Sequence, residues 1–469
     1  MVVNTVLSHR ERAKPTVVVL VLTLALIAVG AYVYGPRIAR SMGWLSAAQP
    51  PNPVTPGNFT GYAFDQCNAP SQAAMNAWMK SSPYLGIGIY ISGASRGCLA
   101  QPNLTPSWVR TQLANGWKLL PITLGPQASC NSRFPRYGND PVINANPTNS
   151  YLAAYNQGIL EARRAITAAN GLGIVPGSTL FYDLEAFDAS NTGCRVSALH
   201  FLTGWVRQLQ LAGYASAVYS SAASGITALA NARTNTAYTM PRQIWIADWD
   251  GTPGTASEYV SSSVWTPHSR VKQYRGGHNE THGGVTINID NDFIDTGLGS
   301  VAPAVRHCVS SARPNGVPVD FPVYKVLEPS FPGYTVPAAQ VLALRCLLTE
   351  RAGFTAGISS AYDRPLINFV KSWQAARGFP VTGKFTTQSW LALFASNRHP
   401  LLKYGSGSEA VRDLQRALNA ANPRLALPIT GVELDLTSAA LRAYRAKYGM
   451  PQNSVVDASV WGLLAAGRA

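Results

Sequence analysis

The sequence predicts an α/β chain: a (β/α)8 TIM-like barrel, then two small all-α modules, with a transmembrane helix at the N-terminus. Three observations lead there. Strand-like and helix-like segments alternate over residues 58–300; a helical motif recurs in the tail at an offset of about 70 residues; and an uncharged apolar run lies near the start.

The barrel rests on eight strand candidates. They are "FTGYAFD" (59–65), "YLGIGIYI" (84–91), "WKLLPITL" (117–124), "TLFYDLE" (179–185), "YASAVYS" (214–220), "RQIWIADW" (242–249), "SRVKQY" (269–274) and "VTINIDND" (285–292). Helical patterns fall between several of them, most clearly at 151–169 and 196–212. About eight βα units in roughly 240 residues has the size and rhythm of a closed barrel. An open doubly wound sheet is the alternative, but no Gly-rich phosphate loop follows the first strand.

At the N-terminus, residues 16–35 are long enough to span a bilayer, and Arg10, Arg12 and Lys14 before them place residues 1–15 in the cytoplasm. A signal peptide cleaved near "SAA" (46–48) is the competing reading, which gives a secreted protein. Arg37, Arg40 and Trp44 make the intervening segment long and charged for that, so a single-pass membrane anchor is expected, with the remainder facing the cell wall. Both readings export residues 50–469. The Pro-rich segment 36–57 reads as a linker whose end, "SAAQPPNPVTPG", is an extended spacer of roughly 35 Å. A second Pro-rich linker covers 301–337.

Six cysteines, Cys67, Cys98, Cys130, Cys194, Cys308 and Cys346, fit an exported chain. Their spacings match no zinc pattern, and an even count outside the cytoplasm reads as disulfides. Fifteen pairings are open. Cys308 with Cys346 is expected because they bracket one linker, leaving four to staple the barrel's loops.

In the tail, "VLALRCLL" (341–348) and "VRDLQRAL" (411–418) share one apolar helix face, and "WQAARGFP" (373–380) returns as "YRAKYGMP" (444–451). Phe385 and Trp390 have the spacing of Val456 and Trp461. The expected modules are 338–396 and 403–467. Charge is uneven: Lys and Arg against Asp and Glu number 15 to 13 in 58–300 but 18 to 9 in 301–469. A basic tail points to an anionic partner, and no nucleic-acid-reading signature is present, which leaves a membrane surface or an acidic wall polymer.

Of the thirteen acids in 58–300, six fall at or just past the end of a strand candidate: Asp65, Asp183, Glu185, Asp248, Asp290 and Asp292. In a barrel those ends form the rim that carries active sites. Asp183 and Glu185 are two apart on a strand and so share a face, as do Asn288, Asp290 and Asp292. Converging carboxylates raise one another's pKa, so one holds a proton while its neighbour is ionised; glycoside hydrolysis requires that division. Singly, each acid reads better as a solvated loop residue or helix cap. Six on one rim favour a site. Trp245 and Trp249 share a face of their strand; buried core is the ordinary reading, but beside carboxylates a sugar platform is favoured for Trp249. Asp248 then faces the other way. "HNETH" (278–282) does not fit the zinc helix H-E-x-x-H, and its flanking glycines indicate a loop. No metal or cofactor is expected.

"GYAFD", "YDLE", "IWIADW", "KQY" and "NID" together resemble the family 25 glycoside hydrolases, the lysozymes that cleave peptidoglycan. They are closer still to an actinobacterial glycoside-hydrolase-like family known as domain of unknown function 1906, over roughly 58–300. The resemblance implies Glu185 as general acid and Asp183 as the carboxylate that stabilises an oxocarbenium-like or acetamido-assisted intermediate. It places Asp65 and Asp290 in the same pocket, with Gln273, Tyr219 and Trp249 contacting the sugar. Trp245, Asp248 and Asp292, from the strand-end reading, complete the expected substrate-binding set. "DQCNAPS" and "DND" depart from the lysozyme pattern. The tail repeats resemble three-helix peptidoglycan-binding domains, "GSGSEAVRDLQRAL" (405–418) more closely than the first copy, which lacks the Gly-Ser entry. The expectation is a surface-anchored glycosidase of peptidoglycan or a related cell-wall polysaccharide. The alternatives are a glycan-binding protein that grips without cutting, and a wall-modifying transferase.

Overall fold

The computed structural model describes residues 50–131, 139–297 and 304–469, and Asn52–Ala469 forms one compact unit. The apolar run at 16–35 lies outside the described residues. No helix among those described is long and apolar enough to cross a membrane.

Eight strands close a barrel in sequence order: β1 (Thr60–Asp65), β2 (Gly86–Ser92), β3 (Lys118–Thr123), β4 (Thr179–Asp183), β5 (Ala215–Ser221), β6 (Gln243–Ala247), β7 (Arg270–His282) and β8 (Val285–Asp295). The helices α1 (Gln72–Ser81), α2 (Pro106–Ala114), α3 (Thr148–Gly171) and α4 (Thr192–Leu211) follow the first four strands, and a π-helical turn leads into the short α5 (Thr227–Ala232) after β5. The inner face of the barrel is filled by Ala63, Leu120, Ile122, Phe181, Ala217, Trp245, Val271 and Ile294. The outer face packs Phe64, Ile89, Leu180, Tyr182 and Val218 against Trp78, Trp108 and Trp205.

The barrel departs from eight uniform βα units. Strands β1 to β7 pair in parallel, whereas β8 runs antiparallel to both β7 and β1. The cause is the connection: Gly283 and Gly284, at φ of 58° and 77°, close a two-residue turn, and a turn that short reverses the chain. "HNETH" is therefore strand, not loop, and alternation sets His278, Glu280 and His282 on one side. Glu280 accepts from both rings, at 2.9 and 3.0 Å. No helix follows β6 either. Arg270 and Lys272 on β7 hold that connection, through Arg270 Nε to the Val264 carbonyl (2.9 Å) and Lys272 Nζ to Asp250 (2.7 Å).

Residues 52–57 are not a free spacer. Thr55 is buried against the start of β3, its amide donates to Ser178 Oγ (3.1 Å), and its carbonyl accepts from the Thr179 amide (2.9 Å). The chain thus enters the barrel at its base.

The tail has six helices: α6 (Ala338–Ala352), α7 (Arg364–Ala375), α8 (Thr387–Phe394), α9 (Glu409–Ala421), α10 (Asp435–Lys447) and α11 (Ala458–Ala465). Equivalent bonds recur in the two triads. Trp390 Nε1 donates to the Lys325 carbonyl and Trp461 Nε1 to the Pro400 carbonyl, each reaching the strand-like segment ahead of its own first helix. The triads share one hydrophobic core, which also takes Val317, Val319, Tyr324 and Leu327 from the second Pro-rich tract. Buried Arg351 and Asp413 pair across the triads at 2.9 Å.

The disulfides are Cys67–Cys98, Cys130–Cys194 and Cys308–Cys346, the last as expected.

Candidate active site

Parallel strands β1 to β6 send their C-terminal ends to one rim. Asp65 ends β1, Asp183 ends β4, and Glu185 follows two residues later. On β8, Asp290 reaches the same rim because its register sets it opposite Asp65. Asp65, Asp183, Glu185 and Asp290 all line one cavity of about 400 Å³ at the barrel's mouth, with Tyr219, Gln273, Asp248, Trp249 and Tyr259. A second lobe of about 400 Å³ opens beyond, sharing Asp65, Tyr90 and Asp290 with the first. Asp65 and Asp290 therefore stand where the two lobes meet, while Asp183 and Glu185 line the first lobe alone.

Gln273 is the hub of the first lobe. Its Oε1 accepts from Tyr219 OH (3.0 Å) and from Trp249 Nε1 (2.8 Å), while its Nε2 donates to Asp65 Oδ2 (2.8 Å). Two donors on one oxygen fix the amide's orientation and pin the Trp249 indole over the mouth. Gly276 lies under that indole; an added Cβ there would come within 2.9 Å of the ring. Asp183 accepts from Tyr90 OH at 3.2 Å. Gln127, buried in the connection after β3, donates to the Asp183 carbonyl (2.9 Å) and accepts from the Glu185 amide (2.9 Å), clamping the backbone that presents both acids.

The electrostatics follow from burial. Asp290 is pushed up to about 8, chiefly by desolvation and then by the negative charges of Asp65 and Glu185, against the opposing pull of His278. Desolvation raises Asp65 to about 6, while hydrogen bonds from Gln273 and Asp292 hold it down and the Glu185 charge adds to the rise. Asp292 stands well above the carboxylate range, because it is fully desolvated and near both Asp65 and Asp290. At neutral pH the β8 side of the mouth therefore holds protons that carboxylates normally lose.

Three residues lie otherwise than the sequence suggests. Trp245 is 1% exposed and packs inside the barrel; its indole donates to Asp292 Oδ1 at 3.0 Å. Asp292 is 0% exposed. Neither lines either lobe, since each lies one strand step or more below the rim; they support Asp65 from beneath and do not face a ligand. Asp248 faces the cavity with Trp249, because β6 ends at Ala247 and alternation does not extend past it. Sequence reading missed Tyr90, Gln127 and Tyr259. Tyr90 carried a signal: Gly86, Gly88 and Tyr90 share the inward face of β2, and the last is nearest the rim. Gln127, in an irregular connection, carried none.

Residues 76–294 match the family model described as Rv2525c-like, glycoside hydrolase-like domain. Among solved structures, an uncharacterized B. stearothermophilus protein is 20% identical, over 50% of this chain and 95% of that one, with a TM-score of 0.31. The Mycobacterium tuberculosis Tat-secreted protein Rv2525c in complex with L-tartrate is 14% identical, with the same coverage and a TM-score of 0.32. No curated protein matches.

Proposed function

We propose that this chain, whose residues 76–294 match the Rv2525c-like, glycoside hydrolase-like domain model, hydrolyses peptidoglycan or a related cell-wall glycan at the cell surface. The supporting observation is the meeting of Asp65, Asp183, Glu185 and Asp290 in one lobe of an open, two-lobed groove with an exposed tryptophan over it, Asp65 and Asp290 standing where the lobes meet. A groove that continues past Asp65 and Asp290 into a second lobe suits a cut within a polymer. Glu185 protonates the leaving glycosidic oxygen. Asp183, held by Tyr90 and the Gln127 clamp, faces the positive charge that develops on the sugar. Trp249 and Tyr259 offer ring faces to a saccharide. The tail, basic and built from two equivalent triads, keeps the barrel on the wall and so raises the local concentration of substrate. The disulfides fit an extracellular location.

The test compares sugar released from peptidoglycan by residues 50–469 and by the same chain with Glu185→Gln. A loss of roughly 10²–10⁴-fold is expected. Equal release from both ends the catalytic assignment; binding without release from either supports a protein that grips the wall uncut.

A further inference from the structure

The two lobes of the mouth differ in charge. Among the described residues, no lysine or arginine lines the lobe under Trp249. The second lobe has Arg96. Its Nε donates to the Gly93 carbonyl (2.9 Å) and its Nη1 to the Tyr90 carbonyl (3.4 Å), which fixes the guanidinium, and among the described residues no carboxylate forms an ion pair with it. Burial pulls the guanidinium down from its usual range, a desolvation that a bound anion offsets.

We propose, resting on the glycan-cleft reading above, that this second lobe is a subsite for a carboxylate-bearing sugar unit, with Arg96 as the partner of the carboxylate.

The rest of the lobe fits such a unit. Gln66 is 7% exposed; its Nε2 donates to the Gly88 carbonyl, and its Oε1 has no partner among the described residues, leaving an acceptor for a sugar hydroxyl or acetamido N–H. Leu124 and Ile287 give an apolar wall, and the exposed amide of Asn288 stands at the rim. Cys67–Cys98 ties the connections after β1 and β2, so the wall that bears Arg96 and the wall that bears Gln66 are held together covalently. On the wall shared with the first lobe, burial pushes Asp290 up to about 8 and so lessens the negative charge facing an anion near neutrality, while Asp65, raised to about 6, keeps its charge there.

The test is calorimetry on Glu185→Gln, which retains the groove. The probes are a peptide-free tetrasaccharide of alternating N-acetylglucosamine and N-acetylmuramic acid with free lactyl carboxylates, its methyl ester, and inorganic phosphate. The free acid is expected to bind roughly tenfold tighter than the ester. Adding Arg96→Gln should remove that difference while leaving ester affinity in place, and Arg96→Lys should restore most of it. Ester and acid of equal affinity, or a preference that survives Arg96→Gln, overturns the subsite and leaves the glycan cleft standing. Binding of neither overturns both. Arg96-dependent phosphate binding without preference for the acid overturns the carboxylate assignment.

Discussion

Trp249 is 64% exposed, yet its indole nitrogen is fixed by Gln273 and its ring lies on Gly276. A large apolar side chain held rigidly in water is arranged for a ligand. Trp249→Ala is expected to raise KM for a soluble wall fragment roughly tenfold with little change in kcat, because stacking holds substrate and transition state alike; a fall in kcat alone would contradict that role. The acids were legible at this scale because period-two alternation and strand ends are sequence properties. Trp245 and Asp292 obey the same alternation, but one strand step separates a rim residue from a buried one, and the sequence does not mark where the rim lies.

Elements were legible wherever the repeat was strong. All eight strand candidates exist, and the 151–169 and 196–212 patterns became α3 and α4. The missing helices after β6 and β7 were not legible, because Arg270, Lys272 and a glycine turn act through tertiary contacts. In the tail, Glu433 is 0% exposed in the segment ahead of α10, its carboxyl accepts from Ser438 Oγ (3.2 Å), and burial pushes it up to about 8. A carboxyl whose folded pKa is raised contributes stability that is full below its unfolded pKa and lost as pH rises through the folded value, here between 4.5 and about 8. Glu433→Gln should therefore melt near the parent at pH 4 and progressively above it toward pH 9, a gain on the order of a few kcal/mol. Calorimetric Tm values across that range decide; a constant difference would show that Glu433 does not titrate on unfolding.

Among the described residues, the tail docks on the base of the barrel and leaves the mouth open. Buried Lys403, ahead of α9, donates to the carbonyls of Trp78 (3.3 Å) and Tyr84 (2.9 Å), and its ammonium lies 5.4 Å from the Trp117 ring centroid. Tyr404 packs on Tyr62 and Phe293. At Gly405, with φ of 89°, an added Cβ would stand 2.1 Å from the Thr60 carbonyl oxygen. Gly405→Ala is expected to cost about 1–3 kcal/mol and to split one calorimetric transition into separate barrel and tail transitions; one unshifted transition would show that the two halves do not depend on this contact. Among the described residues, chain entry and tail both lie at the base and neither covers the mouth, as the proposed cut within a polymer requires. The measurement that tests this most directly is a crystal structure of Glu185→Gln with a wall tetrasaccharide. Sugar is expected in both lobes, with a glycosidic oxygen beside residue 185 and the adjoining ring facing Asp183. A saccharide bound elsewhere, with the mouth filled only by water, would contradict it.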